Sequence, residues 1–311
     1  MPSTVLITGG AGFIGSHVVP MLLERGDRVR ILDNMSRGDR GRVADWAGTG
    51  RAELVEQDVR YGGAVHQAMT GCDAVIHLAA VSINKSEADP FESIDINVVG
   101  SNNVFKAAAD HGVRRVVFAS SASVYGDPET LPMREDGPLR PLTPYCIAKS
   151  TGEQLLDYYA RRCALTWIAL RFFNVYGPGQ KPTAYYTSVI NHFVKRLRAG
   201  EPPIIDGEGT QSMDFVHVHD IARAVVMALD VDADRANLPI NIGTGIDTSV
   251  AELARTLIAA VGLDVEPQFR PRDVLVSRRA ADISRALDVL GWKPTIDLVT
   301  GMQDLVDSEI G

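Results

Sequence analysis

Cysteine is scarce in this chain: three residues in 311, Cys72, Cys146 and Cys163, each standing alone with no C-x-x-C spacing. That excludes a disulfide framework and a zinc knuckle, and makes a reducing cytoplasm the expected compartment. Long apolar runs are missing too. No stretch approaches 18 apolar residues, and "MPSTVLITGG" has neither a basic leader nor a small-residue cleavage signal, so a soluble, unprocessed protein with no membrane partner is expected. Positive charge is in deficit, 31 Lys and Arg against 39 Asp and Glu for a net −8, which argues against binding nucleic acid or an anionic membrane. Any anionic ligand must therefore be held by local groups. Repeats, low-complexity tracts and long charge blocks are also absent.

What is present is alternation. Short β-branched runs at 4–8, 28–33, 52–56, 74–79, 115–120 and 165–171 are separated by helix-like stretches at 13–25, 62–70, 91–111 and 145–162. Such a pattern predicts an α/β fold, a doubly wound parallel sheet of the Rossmann kind, with ligands at the carboxyl ends of its strands. After residue 176 the pattern loosens. Gly- and Pro-rich "YGPGQKP" and "GEPPIIDGEGTQ" bracket a helix at 188–200, followed by a strand at 214–218, a helix at about 220–230, a strand at 240–244 and a helix near 249–261. The expected division is a sheet domain of residues 1–176 plus roughly 213–245, and a smaller mixed C-terminal substrate-binding lobe of 177–212 and 246–311.

"TVLITGGAGFIGSH" sets Gly10, Gly12 and Gly15 in G-x-G-x-x-G register directly after the first strand, and Gly9, Gly12 and Gly15 in G-x-x-G-x-x-G spacing. Glycine suits a tight turn, the approach of a pyrophosphate to backbone N–H groups, and close contact of helix with sheet. Asp33 ends the second strand, where a carboxylate accepts from ribose hydroxyls and repels a 2′-phosphate; NAD is expected over NADP. Asp58 and Val59, after the third strand, are placed to meet the adenine, although Asp58 could equally cap the next helix. Further along, "PYCIAKS" puts Tyr145 and Lys149 four apart on one helix face behind Thr143 as cap and Pro144 as first helical residue. That face is either a reaction site or solvent. "HVHD" sets His217 and His219 on one strand face beside Asp220, but no further ligand has metal spacing, so a structural role is expected and no metal.

With these, "HLAA" (77–80), "SSASVYG" (120–126), "RFFNVYGPGQ" (171–180), "DFVHVHDIA" (214–222), "NIGTG" (241–245), "RPRDV" (270–274) and "LGWKP" (290–294) follow in order. The chain resembles the extended short-chain dehydrogenase/reductases, and within them the nucleotide-sugar epimerases. The resemblance implies an NAD-dependent 4-epimerase of a nucleotide-diphosphate sugar, a UDP-hexose first. Tyr145 would be the base, Lys149 would hold the nicotinamide ribose and depress the phenol pKa, and Ser121 would share the substrate hydroxyl. The hydride would leave C4 and return to the other face of a flat keto-sugar. A free phenol titrates near 10, so acting as a base around neutrality asks for about 3 to 4 kcal/mol, and one ammonium about 5 Å away supplies on the order of 3 kcal/mol at an effective dielectric near 20.

The resemblance also implies cofactor contacts at Gly9, Gly12, Phe13, Ile14, Gly15, Asp33, Asn34, Asp58, Val59, Leu78, Ala79, Ala80 and Asn97, alongside Tyr145 and Lys149. Substrate contacts fall on Ser121, Asn174, Arg270 and Asp273. Ser277 takes the position where residue size gates the sugar. Ala122 and Ser123 stand where dehydratases and decarboxylases of the family carry acids, which favours simple epimerisation. Met213 replaces a diphosphate-binding arginine, a role left to Arg272, Lys181 or Arg279. A homodimer through helices 91–111 and 145–162 is expected by analogy. The alternatives are a nucleotide-sugar 4-ketoreductase or dehydrogenase with net cofactor turnover, and a non-catalytic NAD-sensing regulator.

Overall fold

The computed structural model describes residues 3–180, 187–271 and 277–310. Its first half alternates strand and helix: β1 (Thr4–Thr8), α1 (Gly15–Glu24), β2 (Arg28–Asp33), α2 (Arg40–Ala47), β3 (Ala52–Glu56), α3 (Gly62–Met69), β4 (Ala74–His77), α4 (Ile83–Ala88), α5 (Pro90–Ile94), α6 (Ser101–Asp110), β5 (Arg115–Ser121), α7 (Pro144–Ala160) and β6 (Thr166–Phe172). Then come β7 (Asn174–Tyr176), α8 (Thr187–Arg198), β8 (Ile204–Asp206), β9 (Ser212–Met213), β10 (Phe215–His217), α9 (Val218–Met227), β11 (Leu238–Ile242), β12 (Thr248–Ser249), α10 (Val250–Val261), β13 (Gln268–Arg270) and α11 (Leu298–Ile310).

Seven strands form one parallel sheet in the order β11-β6-β5-β4-β1-β2-β3. Alternation along β1 sends Val5 and Ile7 into one face of the sheet and Leu6 into the other, each packed under its own helices. The chain leaves β1 towards β2 and β3 on one side, and continues through β4, β5 and β6 on the other. The strand order therefore reverses between β1 and β4, and the crevice at their carboxyl ends is where such a sheet opens for a ligand.

A third core joins Tyr176, Phe193, Leu197, Ile205, Leu253, Leu257, Met302 and Leu305, from β7, α8, β8, α10 and α11. The segment 281–292 returns to the sheet instead: Ala281, Ala286, Leu290 and fully buried Trp292 pack in the core containing β1 and β6, and Trp292 Nε1 donates to Asp220 O at 2.9 Å. The expected helix at 91–111 is observed as α5 and α6 joined by a wide π-type turn over Asp95–Gly100. There Ser101 Oγ donates to Asn97 O at 2.7 Å and Asn97 turns its amide out of the helix.

Candidate active site

Two cavities meet at the carboxyl edge of the sheet. The larger, about 690 Å³, runs from the glycine-rich turn past β2 and β3 to the loop after β4. The smaller, about 200 Å³, lies over the ends of β5, β6 and β7. Tyr145 lines both.

The three glycines of the turn have separate tasks. Gly9 sits at φ +69°, and a Cβ there would stand 2.7 Å from Ala79 N, so the turn can touch the β4 loop only without a side chain. At Gly15 a Cβ would meet Gly10 O at 2.5 Å, which fixes how closely α1 abuts the turn; at Gly12 the nearest atom is Gly9 O at 3.2 Å, and the residue faces the large cavity. Asp33 closes the turn from β2, accepting from Ala11 N at 3.0 Å and Met35 N at 2.9 Å, while burial pushes its carboxyl up against those two bonds. Each oxygen keeps a lone pair for a further donor. Burial alone would also raise Asp58, but the Arg60 side chain and N–H, with Asn34 Nδ2 at 2.9 Å, outweigh it and hold the carboxyl at about 2. Tyr61, not Asp58, precedes α3.

Phe13, Ile14, Asn34, Val59, Leu78, Ala79 and Ala80 all line the large cavity. Asn97 does not. It is buried behind the wall, where its Oδ1 accepts from Val81 N at 2.9 Å and its Nδ2 donates to Val81 O at 3.3 Å, shaping the β4 loop from the rear. Backbone donors in a tight turn and a carboxylate at the end of β2 fit a dinucleotide with free ribose hydroxyls.

Thr143 caps α7 through Cys146 N at 3.3 Å, and Pro144 takes its first position. Cys146 points away from the cavities, buried, with its sulfur 2.9 Å from Thr143 Oγ1. Gly152 lets α7 lie against β5, since a Cβ there would be 2.6 Å from the Phe118 ring. Lys149 thereby reaches Ala119 O at 2.7 Å, with its ammonium 4.9 Å from the Phe118 ring centre and 5.4 Å from that of Tyr145. A lysine buried this deeply loses its hydration, and burial pushes its pKa down to about 7, so desolvation opposes the charge expected beneath Tyr145.

Ser121 ends β5 on the small cavity, its Oγ accepting from Ser123 N at 3.2 Å and Ser123 Oγ at 2.9 Å. Asn174 lines it as well, with Nδ2 bound to Asp214 O at 3.0 Å. Arg270, expected at the nucleotide's phosphate, and Ser277, expected to gate the sugar, line neither cavity. Arg270, exposed on β13, pairs with Asp206 at 2.6 Å. Ser277 is held by Ser212 N donating to its carbonyl at 3.0 Å, which turns it to the small β9–β12 ladder with its Oγ enclosed. Two residues on, Arg279 reaches the small cavity. Lys181, Arg272 and Asp273 lie outside the described residues.

Pairing of His217 and His219 on one strand face is not observed, because α9 starts at Val218. His217 ends β10 with its Nδ1 accepting from His219 N at 3.3 Å. Asp220 binds Thr295 N, Ile296 N and Arg223, clasping the C-terminal segment. Among the described residues no group of three or more His, Cys, Asp or Glu could hold a metal, and no helix is long and apolar enough to cross a membrane.

Glu153 and Arg171 escaped the sequence reading. They form a buried two-pronged pair, Arg171 Nη2 to Oε2 at 2.6 Å and Nε to Oε1 at 2.9 Å, joined by Ser120 Oγ at 2.6 Å and by Tyr125. Glu153 falls two turns after Tyr145 on α7, so the pair locks that helix face to β5 and β6. An i, i+4, i+8 pattern of Tyr, Lys and Glu was the available signal.

A tyrosine beside a buried lysine, at the mouth of a dinucleotide-shaped crevice in a doubly wound sheet, fits an oxidoreductase-type nucleotide-cofactor enzyme. The chain belongs to the NAD-dependent epimerase/dehydratase family, whose model matches residues 5–243. It is 36% identical over 311 residues to the UDP-glucose 4-epimerase of Mycolicibacterium smegmatis, covering 97% of each chain. Among solved structures it is similar to the UDP-glucose 4-epimerase of Thermotoga maritima with UDP-glucose (TM-score 0.88, 33% identity, 98% of both chains). It is likewise similar to that of Thermus thermophilus with NAD (TM-score 0.87, 33% identity, 99% of both).

Proposed function

We propose that this protein inverts the C4 hydroxyl of a UDP-hexose, with NAD as a resident cofactor. The observation that carries the reading is the position of Tyr145, which lines both the dinucleotide-shaped cavity and the sugar-sized one. When bound, NAD supplies a reversible two-electron hydride acceptor. Gly9, Gly12, Asp33, Asn34 and the 78–80 loop are the residues that would hold it, with Lys149 at its reactive end.

The chain's own chemistry concerns a proton. Tyr145 takes it from the sugar hydroxyl and returns it once the flat 4-keto-sugar has turned over, so the phenol acts as base and then acid. Lys149, 5.4 Å from the ring, favours the phenolate as far as it is charged. Ser121, on the same wall, orients the hydroxyl. None of the described residues lining the small cavity is a carboxylate, which supports inversion rather than elimination or decarboxylation at C5 or C6.

A homodimer is supported by apolar residues left in water on adjacent helices: Phe91 (89% exposed) and Ile94 on α5, Ile147 and Tyr158 on α7. Free thiols at all three cysteines accord with a reducing cytoplasm. The direct test is to incubate the NAD-loaded protein with UDP-glucose, UDP-N-acetylglucosamine and UDP-glucuronate and to separate the products. An epimer is expected without net cofactor reduction; turnover only with stoichiometric reduction of NAD would make it a dehydrogenase. Sedimentation at micromolar concentration should give twice the chain mass, and Phe91→Glu should give monomers.

A further inference from the structure

Resting on the epimerase reading, we propose that Arg279 selects a sugar that carries an anionic group, a hexuronate, over a neutral hexose. Arg279 is the one charged side chain among the described residues that line the small cavity. Of the other cations near the site, Arg37, Arg42, Arg60 and Lys85 line the large cavity, and Lys149 lies buried behind Tyr145 and lines neither. Its side chain is 13% exposed, and its recorded ion pair, to Asp127, spans 3.6 Å with an acid that is more than half exposed. That is longer than a charge-assisted hydrogen bond, so the guanidinium is largely withdrawn from water while keeping donors for a closer anion.

Position decides which anion. Asp127 lies just past the turn (122–125) that follows Ser121, so Arg279 is tied to the wall that holds the reacting hydroxyl, opposite the large cavity. The same wall offers Ser123, whose hydroxyl donates to Ser121 Oγ and can turn to the second oxygen of a carboxylate. At about 200 Å³ the space takes a sugar ring and not a nucleotide. A neutral hexose would leave a largely desolvated cation with only its long pair to Asp127, and a carboxylate on C5 would add a closer one. Ala122 and Ser123 bring no acid near C5, so the uronate would be inverted without losing carbon dioxide.

The experiment is the ratio of kcat/KM for UDP-glucuronate to that for UDP-glucose, measured with the NAD-loaded enzyme, its Arg279→Gln variant and the conservative Arg279→Lys. The ratio should favour the uronate in the wild type and fall by about 30-fold or more in Arg279→Gln, as loss of a charge-assisted bond implies, with partial recovery in Arg279→Lys. A ratio unchanged because both values fall together would place Arg279 on the diphosphate and overturn the proposal. A ratio unchanged because neither value moves would leave the arginine only its surface pair with Asp127, and would overturn it too. Should the wild type invert no UDP-sugar at all, the epimerase reading fails first, and the two failures are thereby told apart.

Discussion

The two cavities are built by different means. The cofactor end is made of backbone: a turn of closely spaced glycines, one carboxylate at the end of the next strand, and a β4 loop that touches Gly9 without an intervening side chain. The sugar end is made of side chains gathered from distant places, Ser121 on β5, Tyr145 on α7, Asn174 on β7 and Arg279 just before the segment that returns to the sheet. Backbone construction constrains which residue types fit, whereas side-chain construction leaves those types free to vary with the substrate. The first region should therefore tolerate almost nothing at a few positions, and the second should shift specificity before it loses the fold.

The largest effect is expected where the sugar end depends on a buried charge. Glu153→Gln strips Arg171 of its partner inside the protein and should cost about 3 to 5 kcal/mol in denaturant unfolding; a loss under 1 kcal/mol would mean the pair does not lock α7. Next, Lys149→Met should lower kcat by about 10² to 10³, roughly 3 to 4 kcal/mol at the barrier, while making the NAD-free protein more stable, because a desolvated ammonium is removed. The sign follows from linkage. With Lys149 near 7 folded and near 10.5 unfolded, the unfolded chain binds more protons between those values, so wild-type stability rises with pH across that window and the variant's advantage shrinks. Unfolding curves at pH 7 and pH 10 check this, and a constant difference would contradict it.

Gly9→Ala should cost about 2 to 3 kcal/mol, from the left-handed backbone and the approach to Ala79. It should weaken NAD binding by calorimetry while leaving UDP affinity near the wild-type value. Equal loss of both ligands would dissolve the contrast between the two regions. Smallest is Asp58→Asn, about 1 kcal/mol at neutral pH once solvent screening at the partly exposed Arg60 is allowed for. Because Asp58 is held at about 2, that contribution is present above pH 4 and fades as pH falls towards 2.

The same contrast explains what could be read in advance. Strands β1 to β6, the glycine turn, Asp33 and the Thr143–Pro144 start of α7 follow from local physics, since capping, positive φ and alternation are written in adjacent residues. α2 was not anticipated because "GDRGRVADWAG" has little apolar periodicity; its start rests on Asp39 accepting from Gly41 N and Arg42 N. The helix at 91–111 hid its π-type turn, because that turn answers to the loop held by Asn97, sixteen residues away from Val81. Ser277 and Arg279 show the limit most clearly. Which of the two lines the small cavity depends on Ser212, far off in sequence, and no local pattern reports it. The buried charge at Lys149 is similar: proximity to Tyr145 was legible from spacing, desolvation was not.

The decisive measurement is the interconversion of UDP-glucose and UDP-galactose, or of the matching uronates, by the NAD-loaded wild type and by Tyr145→Phe, with reduced cofactor monitored by absorbance. Inversion in both directions with no net reduction is predicted for the wild type, and a loss of about 10³-fold or more for the phenylalanine variant with NAD still bound. Undiminished inversion by Tyr145→Phe would show that the proton is handled elsewhere.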